Sequence, residues 1–372
     1  MREPRTVQPS EIESVPDRPA VFLLFAGDGK PYLARTSLLR RRLKRLLGDP
    51  GRASKLLNLS NVVDRIDYWL TGSQLESAFI HLELARHHFP EDWARITRLR
   101  MPAFVKLTLE NPFPRTIVTT RFGRGLQYGP FASRAAAERF DAAMLDLFQI
   151  RRCEENLDPS PQHPGCIYGE MNKCSRPCQQ AVGVEEYRTE AARVEQFLRT
   201  DGASLLEPVE QARDRASTEL QFEEAARLHE RAERIKSVCA LSGDLARTLD
   251  RLAGVAVTPS AALECVDLWF LIGGRWQKQI RLSLSESSGA GQSMDHRLRD
   301  AVAALQPEGE PRGEHLAILT RWYGASWRDG EWIGFDWPSK IPYRKLVNAI
   351  ARVSKPAAND DAALSPSEGR TS

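Results

Sequence analysis

The sequence predicts an α/β protein of the α+β type, built from small mixed units that follow one another along the chain. Two observations lead to this class. Short apolar runs bounded by turn residues, such as "AVFLLFA" before "GDGK", are typical of buried strands. They alternate with longer stretches whose apolar residues recur at helical spacing. The 372 residues, 42% of them hydrophobic, are enough for two or three domains with their own cores.

Residues 15–150 are predicted to form the first unit. After the strand in "AVFLLFA", the run "PYLA" starts a second strand, and Ser37 is a candidate N-cap for the leucine-rich helix that follows. "RIDYWLTG" predicts a strand, and "SQLESAFIHLELARHHF" predicts a helix that Pro90 ends. "FVKLTLE" and "RTIVTTRF" predict two further strands, and Ser133 is expected to cap the next helix.

Beyond residue 150 the pattern changes three times. An irregular segment rich in proline and glycine occupies 151–183, and helical spacing covers 184–248 with a break at "TDGASLLEP". Strand patterns and a tryptophan-rich stretch follow in a further α+β region at 249–350. We expect its four tryptophans to belong to the core rather than to a base-stacking platform: Trp322, Trp327, Trp332 and Trp337. The polar tail, 351–372, lacks aromatic residues and is expected to be disordered.

Basic residues cluster in a few short stretches of the chain, such as 35–45 and 95–100, although the net charge is only +3. One concentration is the run "KPYLARTSLLRRRLKRL", which contains the candidate phosphate-binding residues Arg35, Arg40, Arg41, Lys44 and Arg45. The charge run by itself is equally typical of a solvated helix face. The N-terminus lacks an apolar signal-peptide core and no apolar run is long enough to cross a bilayer, so we expect a cytoplasmic protein.

Four of the six cysteines lie in one short segment with the spacing C-x12-C-x7-C-x3-C: Cys153, Cys166, Cys174 and Cys178. Structural disulfides are rare in a cytosolic protein, and four thiolates near one point repel one another unless a cation binds them. The spacing therefore predicts a metal centre. Zinc sites usually show paired C-x2-4-C knuckles, and only Cys174 and Cys178 resemble one of them. An iron–sulfur cluster is held by four thiolates from a wrapping loop, so the spacing alone fits the two metals about equally.

These segments resemble the UvrC family, the nuclease subunit of the bacterial excinuclease. The likeness rests on "RRCEENLDPSPQHPGCIYGEMNKCSRPCQQAVGVEEYRTEAARVEQFL", on "YGPFAS" before it, and on "AGVAVTPSAALECVDLWFLIGGRW" further on, which is similar to the opening of a middle region. It covers most of residues 15–350. The resemblance implies that the four cysteines hold a [4Fe–4S] cluster, with zinc as the alternative.

A second likeness within this family concerns the helical region. "LQFEEAARLHERAERIKSV" resembles the UVR motif, at about 217–240, through which the family pairs with UvrB. The resemblance implies UvrB as a partner, contacted by Leu220, Phe222, Ala226 and Leu228. The family's C-terminal half, an RNase H-like endonuclease followed by helix–hairpin–helix motifs, has no counterpart in this sequence.

The family's N-terminal domain is a GIY-YIG nuclease. Its chemistry uses a tyrosine hydroxyl at the attacking water, an arginine at the phosphate, and a carboxylate that holds a divalent metal. Tyr32 and Arg42 match the family's tyrosine and arginine, and Arg35 replaces a lysine. The first half of the motif reads "AVF", and Phe22 lacks the hydroxyl of the tyrosine it replaces.

The carboxylate position is also changed. In the register set by Pro90, the family's metal-binding glutamate aligns with His81 and its active-site asparagine with Trp93. Glu76 and Glu83 lie on other sides of the helix, and magnesium prefers oxygen ligands to histidine. A histidine within "AFIHLELA" is also typical of a core position. The resemblance therefore implies a degenerate site.

We therefore expect a UvrC-like protein of nucleotide excision repair that binds DNA and UvrB without GIY-YIG cleavage. Its candidate catalytic residues, in degenerate form, are Tyr32, Arg42 and His81. One alternative is an active 3′-incising endonuclease like Cho, a stand-alone UvrC homologue that has the same N-terminal half. The other is a regulator without enzymatic activity that competes with full-length UvrC for UvrB.

Overall fold

The computed structural model describes residues 3–27, 29–48, 59, 62–284, 292–307, 309–326 and 328–354. Within these residues the chain forms three antiparallel sheets with helices packed on them. This arrangement confirms the α+β class.

The first sheet contains the predicted strand–turn–strand–helix passage. Its strands are β1 Arg5–Val7, β2 Ala20–Phe25, β3 Tyr32–Thr36 and β4 Arg65–Leu70, in the order β1-β4-β2-β3. Helix α1 (Leu39–Leu47) packs on one face and helix α2 (Gln74–His88) on the other. Because β2 lies between two strands and two helices, both of its faces are buried, which explains its continuous apolar run.

The predicted helix starts differ in outcome. Ser133 caps helix α4 (Arg134–Leu145), and its hydroxyl accepts a hydrogen bond from the Ala136 N–H at 3.1 Å, as predicted. The prediction for Ser37 is wrong. Helix α1 follows Leu38, whose N–H donates to the Thr36 hydroxyl at 3.1 Å. An N–H of the first helical turn is bound from another segment instead, because the Arg41 N–H donates to the Asp17 carboxylate at 3.1 Å.

Residues 15–150, predicted as one unit, contribute to two sheets. A short helix, α3 (Trp93–Thr97), connects them. The second sheet has the order β6-β5-β7-β8, with β5 Ala103–Leu107, β6 Thr116–Thr119, β7 Leu126–Phe131 and β8 Arg247–Thr248. Its last strand comes from beyond the helical region, so a boundary near residue 150 does not separate two cores.

The helical region folds against the second sheet. The cysteine segment contains one short helix, α5 (Ile167–Glu170), and is followed by α6 (Val184–Arg199), α7 (Ala203–Thr218) and α8 (Phe222–Ala240). Helices α7 and α8 pack on each other as a hairpin. The predicted break is shorter than "TDGASLLEP", because Gly202 turns the chain with a φ of 93° and α7 begins directly after it.

The third sheet belongs to the C-terminal region. Its strands are β9 Ala253–Pro259, β10 Cys265–Ile272, β11 Arg275–Trp276, β12 Ile280–Ser283 and β13 Glu331–Gly334, in the order β11-β10-β9-β13, with β12 also paired to β10. The helices α9 Met294–Ala303, α10 Gly313–Tyr323 and α11 Tyr343–Val353 accompany it. The predicted turn at Gly273-Gly274 connects β10 to β11, and both glycines have positive φ.

The C-terminal tryptophans pack into the core where they are described. Trp322 is 3% exposed, and Trp332 and Trp337 pack against the same buried clusters as β9 and β10. Trp327 and most of the predicted tail, residues 355–372, lie outside the described residues. Helix α11 continues to Val353, past the predicted boundary at residue 350. In the described chain, no helix has the length and apolar character needed to span a membrane.

Candidate functional site

Tyr32 and Arg42, the two positions that match the nuclease pattern, contact each other. Tyr32 starts the edge strand β3, and Arg42 lies one turn into α1. The Arg42 Nη2 donates a long hydrogen bond, 3.5 Å, to the Tyr32 hydroxyl. Both side chains are half-buried, and the tyrosine ring packs against the core between the sheet and α1.

Phe22 occupies the position of the missing hydroxyl. Its side chain is fully buried, and its ring lies 6.3 Å from the Tyr32 ring, centroid to centroid. A buried phenyl group here contributes to packing and offers no group that moves a proton.

A cavity of about 640 Å³ lies on the α2 side of the sheet. Arg35 of β3, His81 of α2, Arg98 after α3 and Arg321 of α10 are among the residues that line it. His81 is 8% exposed. Burial and the charges of Arg35 and Arg321 lower the pKa of His81 to about 4, so its imidazole is neutral at pH 7.

The same cavity holds unbalanced positive charge. Arg35 and Arg321 both line it, and burial together with the charge of Arg321 lowers the pKa of Arg35. Among the described residues, no aspartate or glutamate lines the cavity. A divalent metal is not favoured at such a place, because both the charge and the missing hard oxygen ligands oppose it.

Neither neighbouring glutamate of α2 supplies the missing carboxylate. The side chain of Glu76 is fully buried and accepts the Gly72 N–H at 2.7 Å, while its own N–H donates to the N-cap Ser73. Glu83 is exposed and lines a different pocket, next to Trp276. The carboxylate of Glu76 serves the start of the helix, and that of Glu83 faces away from the cavity.

Trp93, at the family's asparagine position, is part of the core. Its ring packs against the cluster that contains Leu75 and Leu82, and the Arg86 guanidinium carbon lies 4.6 Å from its centroid. It does not line the cavity of His81.

The basic residues predicted to contact phosphate are divided between two faces. On α1, the Arg41 Nε lies 2.9 Å from Asp17 and the Lys44 Nζ 2.6 Å from Glu13. Arg40 donates to the Glu13 carbonyl at 3.5 Å, and Arg45 is exposed. The chain's own N-terminal segment therefore neutralises part of the predicted strip, while Arg35 points to the cavity on the other face.

A second basic cavity, about 660 Å³, adjoins the first. Arg98 and Arg321 line both of them, and Arg100 and Arg134 line only the second. In the described chain this cavity also lacks a lining carboxylate. We call the two cavities together the arginine track. The basic cluster at 95–100 signalled part of it in the sequence, whereas Arg321 carries no local signal and joins because α10 packs against α2.

The four clustered cysteines lie near one another in the segment between α4 and α6. Burial raises the pKa of Cys174 to about 11, and the neighbouring thiols of the cluster push it in the same direction. The Arg176 N–H donates to the Cys174 Sγ at 3.4 Å, and the Arg151 guanidinium lies 3.7 Å from the Cys153 Sγ. Thiols with N–H donors directed at sulfur are the groups by which proteins hold a metal through thiolates. Within the described ranges, however, no three aspartate, glutamate, histidine or cysteine side chains form a ready metal-binding group.

Arg151 anchors this segment, a role that the sequence did not reveal. Its side chain is 1% exposed, with Nε donating to the Phe113 carbonyl at 3.0 Å and Nη1 to the Glu155 carbonyl at 2.7 Å. The Tyr187 hydroxyl accepts the Arg151 N–H and donates to the Pro114 carbonyl, both at 2.8 Å. The arginine of the R-x-C opening therefore ties the first cysteine to the second sheet.

The α7–α8 hairpin presents an apolar tip. Leu220 and Phe222 are 71% and 68% exposed, and Ala226 is also exposed. Leu228 differs, because it packs inward against the core of the second sheet. Three of the four predicted partner-binding residues are thus accessible.

Comparison with known proteins agrees with this organisation. The family model described as the UvrC/Cho excinuclease, middle domain, matches residues 103–198. This match covers strands β5 to β7 of the second sheet, the cysteine segment and nearly all of α6, and it lies before residues 249–350, where the sequence predicted a middle region. No solved structure matches the chain.

Three curated relatives illustrate the similarity, each named UvrABC system protein C. The protein of Lachnospira eligens is 25% identical over 61% of this chain and 38% of its own length. That of Moorella thermoacetica is 24% identical over 82% of this chain and 49% of its own, and that of Caulobacter vibrioides 23% over 86% and 48%. The chain thus spans about half the length, or less, of these relatives. The middle-domain match and the relatives that align along most of the chain show that it is similar to the UvrC family, over the family's N-terminal half.

Proposed function

We propose that this chain acts in nucleotide excision repair as a UvrC-like protein that binds DNA and does not cleave it by GIY-YIG chemistry. The observation that carries the proposal is the cavity at His81. Where the family has a metal-binding carboxylate, this chain has a neutral imidazole surrounded by arginines.

The chemistry of the site supports binding over cleavage. A metal-dependent nuclease needs an anionic ligand to hold the divalent cation against its own repulsion from nearby arginines. Arginine side chains instead suit phosphate oxygens, because the planar guanidinium donates two hydrogen bonds at matching spacing. Arg35 and Arg321 are therefore placed to attract a phosphodiester rather than a metal.

An active endonuclease like Cho is the rival function. The contact between Tyr32 and Arg42 favours it, because the family uses both positions in catalysis. The buried Phe22 ring opposes it, since the second hydroxyl is missing. An active enzyme would need its metal ligands from a different set of side chains.

We propose UvrB as the protein partner, bound at the hairpin tip. Exposed leucine and phenylalanine side chains next to each other are costly in water and suit a matching apolar surface. A regulator that competes with full-length UvrC would use the same surface, and it would differ from the main proposal by needing no DNA.

The cysteine segment is proposed to hold a [4Fe–4S] cluster through Cys153, Cys166, Cys174 and Cys178. Supporting this are four thiols in one segment, two of them buried, and the two donors directed at sulfur. When bound, the cluster would supply a rigid crosslink for a segment with little regular secondary structure. Zinc is the alternative metal.

DNA binding is tested by fluorescence anisotropy of a labelled duplex titrated with the full chain over a range of salt concentrations. We expect binding whose affinity falls steeply with salt, because phosphate contacts release counterions. A chain that fails to bind duplex DNA at low salt would contradict the proposal.

A further inference from the structure

The arginine track combines residues from distant parts of the chain on one carboxylate-free surface. Arg35 comes from the first sheet, Arg98 follows α3, and Arg321 lies in the last turn of α10 of the C-terminal region. Arg98 and Arg321 line both cavities, so the two are continuous. No single domain of the chain contains the whole surface.

The charges of the track are not balanced by the protein. Among the described residues, Arg35, Arg98, Arg100 and Arg321 form no ion pair with a carboxylate, whereas Arg134 is paired with Glu138 at 2.7 Å. Elsewhere in the described chain many arginines are paired, for example Arg281 with Asp267 at 2.8 Å. Unpaired guanidinium groups held side by side repel one another, and a bound anion relieves this repulsion.

The backbone at Arg98 adds an independent observation. This residue ends α3 in the left-handed region, with a φ of 49° and a ψ of 37°. Glycine or asparagine usually occupies such a position, because a Cβ atom raises the energy of this conformation and the asparagine side chain offsets part of that cost with a local hydrogen bond. An arginine here places a cation at the junction of the two cavities.

We propose that the arginine track binds the sugar–phosphate backbone of one DNA strand, with successive phosphates in its two cavities and one phosphate between Arg98 and Arg321. This inference rests on the proposed DNA binding and specifies where it occurs. The occupant is a polyanion extended over both cavities, because each cavity has its own arginines and neither has a carboxylate in its described lining. The neutral imidazole of His81 accepts or donates one hydrogen bond at the floor of the first cavity.

The track also differs from the basic strip on α1. Arg41 and Lys44 already bind Asp17 and Glu13, so a phosphate there would have to displace a carboxylate. DNA held by the track would contact the C-terminal region through Arg321. The C-terminal region would then share the binding of DNA with the nuclease-like sheet.

The test compares the double variant Arg98→Ala/Arg321→Ala with the unaltered chain. Fluorescence anisotropy measures the affinity of each for a labelled DNA duplex at several salt concentrations. Both side chains are exposed, so folding is expected to survive, and a circular-dichroism melt checks it. We expect the affinity to fall by about tenfold or more. The slope of log affinity against log salt should become shallower by about one, since the phosphate between these two arginines loses its cationic partners.

The charge-matched control is Arg188→Ala/Arg231→Ala, which removes two exposed cations on α6 and α8 outside the track; neither is paired with a carboxylate among the described residues. It should change both affinity and slope much less. Equal losses in the two double variants would overturn the track, as would a larger loss from Arg41→Ala/Lys44→Ala on α1. If the unaltered chain binds DNA and the track variant binds equally well, this inference fails while DNA binding stands; if the unaltered chain does not bind, DNA binding itself fails.

Discussion

Arg35 and His81 line the same cavity from opposite elements, and the charge of Arg35 is one of the causes that keep the His81 imidazole neutral. In the nuclease pattern the first position is a lysine and the second a carboxylate. Because histidine stands where the pattern has a carboxylate, Arg35 has no carboxylate beside it in the described lining of the cavity. The relationship between these two residues is therefore the basis for assigning phosphate binding to this surface.

The pH dependence of stability should reflect His81. Its pKa is about 4 in the folded chain and near 6.5 when unfolded, so the unfolded state binds the extra proton first as pH falls. The histidine therefore lowers stability as pH falls from about 6.5 to 4, by on the order of 2–3 kcal/mol. His81→Gln should show a shallower loss of melting temperature over this range.

The exposed His296 provides the control for that measurement. The change in the pH profile of the melting temperature should be clearly larger for His81→Gln than for His296→Gln. His315 keeps its own lowered pKa, about 4, in both variants, so some pH dependence remains. Equal profiles for the unaltered chain and His81→Gln would show that residue 81 does not titrate as described.

Removal of the Arg151 guanidinium should destabilise the second sheet. Arg151→Met fills part of the space but leaves the carbonyls of Phe113 and Glu155 without their donors. We expect a loss of about 2–4 kcal/mol in the free energy of unfolding, measured by urea denaturation. Arg188→Met, at an exposed site on α6, should stay within about 0.5 kcal/mol. Similar values for both variants would refute the anchoring role.

Metal analysis tests the cysteine segment. Anaerobically purified protein should contain about four iron atoms and four sulfides per chain. Cys174→Ser should lose most of this iron, whereas Cys265→Ser, on β10 outside the segment, should retain it. Stoichiometric zinc in place of iron would show that the alternative metal is correct.

Partner binding tests the hairpin tip. Phe222→Ala should weaken capture by the C-terminal tail of UvrB about tenfold or more, because an exposed aromatic side chain often dominates such a contact. Leu263→Ala removes an apolar side chain that is 87% exposed elsewhere on the surface, and it should have little effect. Failure of the unaltered chain to bind the tail would rule out this partner.

Local signals in the sequence predicted the elements that depend on neighbouring residues. The apolar run of β2, the turn at Gly273-Gly274 and the cap at Ser133 were all predicted from a few consecutive positions. The failure at Ser37 is not local, because the carboxylate of Asp17, from a distant segment, accepts the Arg41 N–H in the first turn of α1.

Features that depend on contacts between distant segments were not predicted. The second sheet is completed by β8, so the sequence near residue 150 could not show that the first unit contains two cores. Arg321 joins Arg35 only through the packing of α10 on α2. Arg151 was quoted as part of a motif, but its burial and its two carbonyl partners depend on the tertiary structure.

Incision of DNA tests the central claim most directly. A lesion-bearing duplex, end-labelled and loaded with UvrB, is incubated with the full chain in magnesium or manganese and examined on a denaturing gel. We predict that the labelled strand stays intact, because the site has Phe22 in place of a tyrosine hydroxyl and His81 in place of a metal-binding carboxylate. A product on the 3′ side of the lesion that disappears with Arg42→Ala would contradict this account.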